Sequence, residues 1–249
     1  MRIDGRYHIL DDIRGAAVIS MILYHAMWDV NNMLGIYMSW YYSNTGYIWQ
    51  QSICWTFILL SGFCFQLGRH KLKRGLTVFG AGLLITAVTA VFMPNNIILF
   101  CILTLIGTSM LVMVPLDKIF KRINPVIGLI LAAAAFFMTR NVNYGTLGFE
   151  EIIIKWLPHD ALYKNMHTAF LGFPPYTFRS GDYFSLIPWV FLFIAGYFLY
   201  GIFAKRDWLK IFAHKGIRPL EFIGRHALVI YLIHQPILYA AAEIIKFLR

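Results

Sequence analysis

The stretch Gly75–Met93 reads GLTVFGAGLLITAVTAVFM, 19 residues without a charge, and it decides the fold. A helix needs about 20 mostly apolar residues to cross a bilayer, because hydrocarbon offers no partner to unpaired backbone groups. Outward from this stretch the pattern recurs. Of the 249 residues, 59% are hydrophobic, 17% aromatic and 14% charged. The mean hydropathy is +0.63. Soluble domains hold about 45–50% apolar and about 25% charged residues. The composition therefore argues against a soluble domain and excludes a disordered or collagen-like chain and a disulfide scaffold. Seven spans are predicted, near Asp12–Asn31, Gly46–Leu67, Gly75–Met93, Ile97–Val114, Pro125–Met138, Tyr183–Ala204 and Phe222–Ile245. The expected fold class is an all-α, polytopic integral membrane helix bundle.

The formal net charge is +10. In a soluble protein that would raise nucleic acid as a partner. Here the cations sit in short runs between apolar stretches, as in cytoplasmic loops of membrane proteins, so no nucleic-acid partner is expected. The N-terminus carries Arg2 and Arg6. The loop after span two carries Arg69, Lys71, Lys73 and Arg74. Lys118, Lys121 and Arg122 follow span four, and Lys205, Arg206, Lys210, Lys215 and Arg218 follow span six. The loops after spans one and three carry neither Lys nor Arg. This alternation predicts a cytoplasmic N-terminus and an outer C-terminus. The first span has Asp4, Asp11 and Asp12 at its flank and no A-x-A site after it, so it reads as a retained helix rather than a signal peptide. Residues 1–249 are expected to form a single transmembrane domain with a long outer-face connection at about 139–182. Within it, Gly148–Leu157 (GFEEIIIKWL) mixes apolar and charged residues as an interfacial helix would.

Ionisable residues inside a span are costly, which makes them functional candidates. The first span carries Asp11, Arg14, His25, Asp29 and Asn32, at offsets of three, eleven, four and three. Eleven residues make about three helical turns, so Arg14 and His25 share a face roughly 16 Å apart. Asp29, at i+4, is placed to accept an imidazole N–H from His25 and raise the basicity of its other nitrogen. Arg14, held beside Asp11, is suited to an anionic group such as a phosphate. The plainer alternative is an Arg14–Asp11 ion pair at the membrane edge and His25 as a satisfied core residue. The last span adds Arg225, His226, Tyr231, His234 and Gln235, and Pro236 frees the Leu232 carbonyl and predicts a kink. These residues suit a cavity wall or, equally, helix-packing hydrogen bonds. Arg179 and Asp182, at the outer edge before span six, would contact an acceptor or pair with each other. Cys54, Cys64 and Cys101 lie in apolar stretches without ligand spacing, so no metal is predicted.

The run Leu10-Asp-Asp-Ile-Arg-Gly15, with Tyr24-His25 and Trp28-Asp29 beyond it, resembles the bacterial branch of the heparan-alpha-glucosaminide N-acetyltransferase catalytic-domain family. DYFSLIPW (Asp182–Trp189) and GRHALVIYLIHQP (Gly224–Pro236) are similar to that family's later motifs. Arg14-x10-His25 also resembles the first-helix Arg–His motif of the membrane acyltransferase-3 family. The resemblance implies transfer of an acyl group, commonly acetyl from coenzyme A, to a sugar on the far side of the membrane. It implies His25 as the catalytic residue and Arg14 as a donor-side residue.

The leading expectation is therefore a membrane acyltransferase that modifies carbohydrate. Acetyl-CoA or another acyl-CoA would be the cytoplasmic co-substrate, and a hydroxyl or amine of a sugar or glycolipid would be the acceptor at the outer face. Catalysis is assigned to His25 and Asp29, donor binding to Arg14 and Asp11, and the acceptor side or cavity to Arg179, Asp182, Arg225, His226, His234 and Gln235. Membrane lipid surrounds the chain, the expected site is the bacterial cytoplasmic membrane, and oligomerisation stays open. The alternative is a transporter or flippase for a polar lipid or sugar that uses the same stripe as a pathway. Against it, no internal repeat is visible. A retinal-type photoreceptor would need a lysine in mid-span seven, and that span has only Lys246 at its end.

Overall fold

The computed structural model describes residues 6–248. Arg2 and Asp4 of the N-terminal flank lie outside the described residues. The chain runs through α1 (His8–Asn32), α2 (Asn44–Phe65), α3 (Lys71–Phe92), α4 (Ile102–Phe120) and α5 (Pro125–Thr139). Then come β1 (Thr146–Phe149), β2 (Ile152–Trp156), the short α6 (His159–Leu162) and α7 (Met166–Leu171), α8 (Leu186–Lys205), α9 (Arg218–Arg225) and α10 (Ala227–Leu248). Six segments are long and apolar enough to cross a membrane: α2, α3, α4, the stretch Pro125–Tyr144 that opens with α5, α8 and α10. The chain is an all-α polytopic integral membrane protein. With 25 residues α1 has the length of a span, but Asp11, Asp12, Arg14, His25 and Asp29 dilute its apolarity. The count of seven spans turns on this helix.

The chain divides into two compact units. The first comprises Met1–Phe57 and Asp207–Arg249, the second Ile58–Arg206. In the first, α1 packs on α9 and α10. Val18, Met21 and Ile53 form its buried core, closed by Ile22, Trp49, Ile223, Ile230 and Tyr231. The α1–α9 crossing is backbone to backbone. A Cβ on Gly15 would fall 2.2 Å from the Leu220 carbonyl oxygen, and one on Gly224 would fall 1.9 Å from that of Asp11. Only glycine allows this approach, as at small-residue crossings in membranes generally. The Asp12 carboxylate accepts the Ile217 N–H at 3.0 Å, which fixes the start of α9.

In the second unit α3 packs on α4, and α8 on α4 and α5. Gly82 and Gly107 allow α3 and α4 to touch. Asp117, buried on α4, accepts from Lys71 at 2.8 Å and from Tyr197 at 2.8 Å, and pairs with Lys121 at 2.8 Å. The connection 139–182 is tied down at several points. Tyr163 Oη donates to the Val142 carbonyl at 2.6 Å, and Asn143 Nδ2 donates to the Gly172 carbonyl at 3.0 Å and to Ser185 Oγ at 2.8 Å. Burial pushes the Tyr163 phenol up to about 12.

Three sequence expectations are corrected. The segment Gly148–Leu157 is no interfacial helix. It belongs to an antiparallel hairpin, Thr146 opposite Trp156 and Phe149 opposite Ile152. Three successive isoleucines and a tryptophan favour strand, and Glu150, at φ 50°, turns the chain. The last span does not start at Phe222. His226 leaves helical geometry at φ −100°, ψ 14°, so an amphipathic α9 precedes the long α10. Span four begins later than expected, at Ile102 and not Ile97. Phe100 takes a positive φ of 57°, and the Asp182 carboxylate receives the Ile102 N–H at the helix start. Through Pro236, α10 continues as one helix.

Candidate active site

The candidate site lies within the first unit, where α1 meets α10. His25 and Asp29, one turn apart on α1, face His234 and Gln235, which are neighbours on α10. The His25 and His234 rings have centroids 5.0 Å apart. The Asp29 carboxylate, in a residue only 3% exposed, accepts from Gln235 Nε2 at 3.2 and 3.4 Å. The expected His25–Asp29 hydrogen bond is not formed. Helical spacing does put the two on one side of α1, but the amide of Gln235 reaches both carboxylate oxygens from across the helix pair. Among the described residues Asp29 forms no ion pair, so a buried carboxylate is held by a neutral donor alone. That is a high-energy arrangement outside a functional site.

His234 has a defined tautomer. Its Nδ1 lies 2.5 Å from the Tyr231 carbonyl oxygen, an acceptor only, so Nδ1 carries the proton. The lone pair of the neutral ring is then on Nε2, which is buried without a hydrogen-bond partner. Gln235 Oε1 is likewise buried and unpartnered. The pair offers two acceptor atoms beside His25, as a site that receives a hydroxyl or amine proton would.

Two further groups adjoin the cluster that sequence patterning did not single out. Tyr41, between α1 and α2, packs its ring 5.0 Å from Tyr24, and its hydroxyl is buried. Burial, with the nearby phenol of Tyr24 and the charge of Asp29 adding, pushes the Tyr41 phenol well above its ordinary value, so it stays a proton donor. Asn31, next to the predicted stripe, is the buried asparagine. It receives the Met38 N–H at 2.8 Å and gives its own amide proton to Met27 at 2.9 Å. Asn32 of the stripe is exposed and bonds Trp28 at 2.9 Å. No sequence signal marks Tyr41, because loop tyrosines are common in membrane chains.

The other predicted residues gather elsewhere. Arg14 Nη1 donates to Asp11 Oδ1 at 2.7 Å, and Arg6 approaches the other oxygen of Asp11 at 3.5 Å. This is the ion pair of the plainer reading, at the α9 end of α1. Arg225 pairs with Glu221, which also meets His8 Nδ1 at 3.0 Å. Desolvation pushes the Glu221 carboxyl up, but the contacts of His8 and Arg225 outweigh it and hold it below its usual range. His226 bonds the Phe222 carbonyl at 2.8 Å at the α9–α10 break and so does not join the His25 cluster. Glu221 and His8 were not anticipated, although Glu221 lies one turn from Arg225 in the quoted motif region.

In the second unit Arg179 and Asp182 do not pair with each other. Arg179 Nη1 donates to the Tyr176 and Phe178 carbonyls at 2.8 and 2.9 Å. Asp182 caps α4, and desolvation pushes its carboxyl up to about 6 against the pull of the Ile102 N–H. The neighbouring Cys101 thiol is raised to about 11, by burial first and by Asp182 second. Among the described residues no group of three His, Cys, Asp or Glu side chains is placed to hold a metal.

A polytopic helical membrane protein with imidazole, carboxylate and amide groups converging between two helices falls in the class of membrane proteins that do chemistry or transport on polar substrates. The family model described as Heparan-alpha-glucosaminide N-acetyltransferase, catalytic, matches residues 6–236. The chain belongs to this family of membrane acetyltransferases, and the match ends at Pro236, one residue past Gln235. No curated protein and no solved structure matches the chain.

Proposed function

We propose that the protein transfers an acyl group, acetyl first of all, from a cytoplasmic acyl-CoA to a hydroxyl or amine of a sugar or glycolipid at the outer face of the bacterial cytoplasmic membrane. The observation that carries this reading is the pairing of His25 and Asp29 with His234 and Gln235, polar groups contributed by two helices at opposite ends of the chain, of which Asp29 and His234 are buried. Support for one catalytic domain comes from a family match that runs through both compact units.

In this reading His25 takes the proton from the acceptor as its oxygen or nitrogen attacks the thioester carbonyl. The carbon–sulfur bond breaks, the protonated His25 gives that proton to the departing sulfur, and coenzyme A leaves as the thiol. Gln235 connects Asp29 to the site: the carboxylate fixes the amide, and the amide oxygen is left to accept from the acceptor. His234, with its Nε2 lone pair free, lies next to the base and stabilises the protonated His25 ring. Arg14, with Asp11 fixing its guanidinium, receives a phosphate of the donor.

The test is donor-dependent acylation by purified variants, with thermal melting as the folding control. General-base catalysis is worth about 10²–10⁴-fold, so His25→Ala should lose at least about 10²-fold in kcat. Arg14→Ala should chiefly raise the donor KM, since its role is anchoring. Near-normal turnover by a folded His25→Ala protein would move the proton transfer to His234.

A further inference from the structure

The β1–β2 hairpin presents a surface that the proposed chemistry does not use. On β2, Ile152, Ile153, Ile154 and Trp156 are 66%, 50%, 62% and 67% exposed. A strand with one face on a core and one in water alternates; this one is exposed at every position. In water such an apolar edge would invite aggregation.

Its placement supplies the occupant. The hairpin is bound to the last turn of α5. Phe149 packs on Phe137 with ring centroids 5.0 Å apart, and the Asn141 N–H donates to the Gly148 carbonyl at 3.2 Å. Asn141 Nδ2 donates to the Glu150 carbonyl at 2.8 Å, and Arg140 meets the Glu150 carboxylate at 3.6 Å. The exposed apolar surface of α5, with Ile130 at 61%, Leu131 at 62% and Met138 at 51%, leads straight to these contacts. This is the surface that an integral membrane protein turns to lipid.

Two features set the depth. Among the described residues the sheet has two strands, and there the outer edge of β2 carries backbone groups without strand partners. Those groups are untenable in hydrocarbon but are satisfied among headgroups and water. Lys155 and Trp156 at the strand end are the residue types that prefer this zone. We propose that the hairpin seats in the headgroup region of the leaflet at the C-terminal end of α5 and anchors the connection 139–182 to the membrane surface. The occupant of the exposed isoleucine face is lipid, not a second copy of the chain.

The experiment is depth measurement by spin label. Ile153→Cys is labelled with a nitroxide in the full chain, reconstituted into nanodiscs of phosphatidylcholine and phosphatidylglycerol. Collision with oxygen is then compared with collision with a nickel chelate. Ile130→Cys serves as the lipid reference and Lys164→Cys, at an exposed position, as the water reference. The unsubstituted protein, whose three cysteines are buried, gives the background. The expected oxygen-to-nickel ratio at 153 is several-fold above that at 164 and below that at 130. A ratio equal to that at 164 would place the hairpin in water and overturn the proposal. Protection from both reagents would put protein on the face and overturn it as well.

Discussion

Asp182 shows how one carboxylate can serve a helix end and still be poised to titrate. Its carboxyl is raised to about 6 by desolvation while it accepts the Ile102 N–H. A carboxyl whose folded-state pKa is raised contributes stability that is complete below its unfolded value of about 3.9, and that contribution is lost as pH rises through the folded value. Between pH 4 and 7 the protein should therefore lose on the order of 2–3 kcal/mol through this group. Asp182→Asn keeps an oxygen for the Ile102 N–H and removes the titration. Its melting temperature should fall less over that range than the wild type's, and superimposable profiles would refute the assignment. Sequence patterning singled out Asp182 but not its partner, because a cap on α4 from a residue 80 positions away leaves no periodic trace. His25 and Asp29 were legible for the opposite reason: polar residues at helical spacing in an apolar run are visible within a single window. Their partner choice was not, since Gln235 and Asp29 are 206 positions apart.

At the scale of elements, the spans were legible to within a turn wherever hydropathy alone sets them. Gly75–Met93 was expected where α3 covers Lys71–Phe92. Misreadings came where backbone geometry overrides composition, at the hairpin, at the start of α4 and at the α9–α10 break. The glycines at the α1–α9 crossing belong to this scale. Gly224→Ala places a Cβ 1.9 Å from a main-chain oxygen that has no side chain to yield, so the two helices must separate. A cost of about 2 kcal/mol or more is expected. A methyl group on Gly80 of α3 would meet nothing within 4 Å, so Gly80→Ala should be neutral or slightly stabilising. Parallel melting of the two variants in detergent separates close packing from general intolerance of substitution; equal loss in both would remove the role given to the crossing.

At the scale of the whole molecule, the sidedness of the termini is the decisive measurement. If α1 crosses together with the six apolar segments, reporters fused to the two ends should lie on opposite sides, the N-terminal one in the cytoplasm. Reporters on the same side would leave α1 out of the membrane and detach His25 from any transmembrane chemistry. The composition of the first compact unit, Met1–Phe57 with Asp207–Arg249, bears on how the protein is made. Asp29 leaves the ribosome 206 residues before the Gln235 whose amide donates to its carboxylate. At about 5–20 residues per second the interval is roughly 10–40 s. During it the least apolar of the long helices holds a carboxylate with no amide to meet it, while the continuous second unit, Ile58–Arg206, has its whole sequence available to assemble. In that interval α1 can pack on Ile53 and Trp49 of α2, but its polar side is completed only by the last helix, and truncation before α10 would leave Asp29 without the donor that Gln235 supplies.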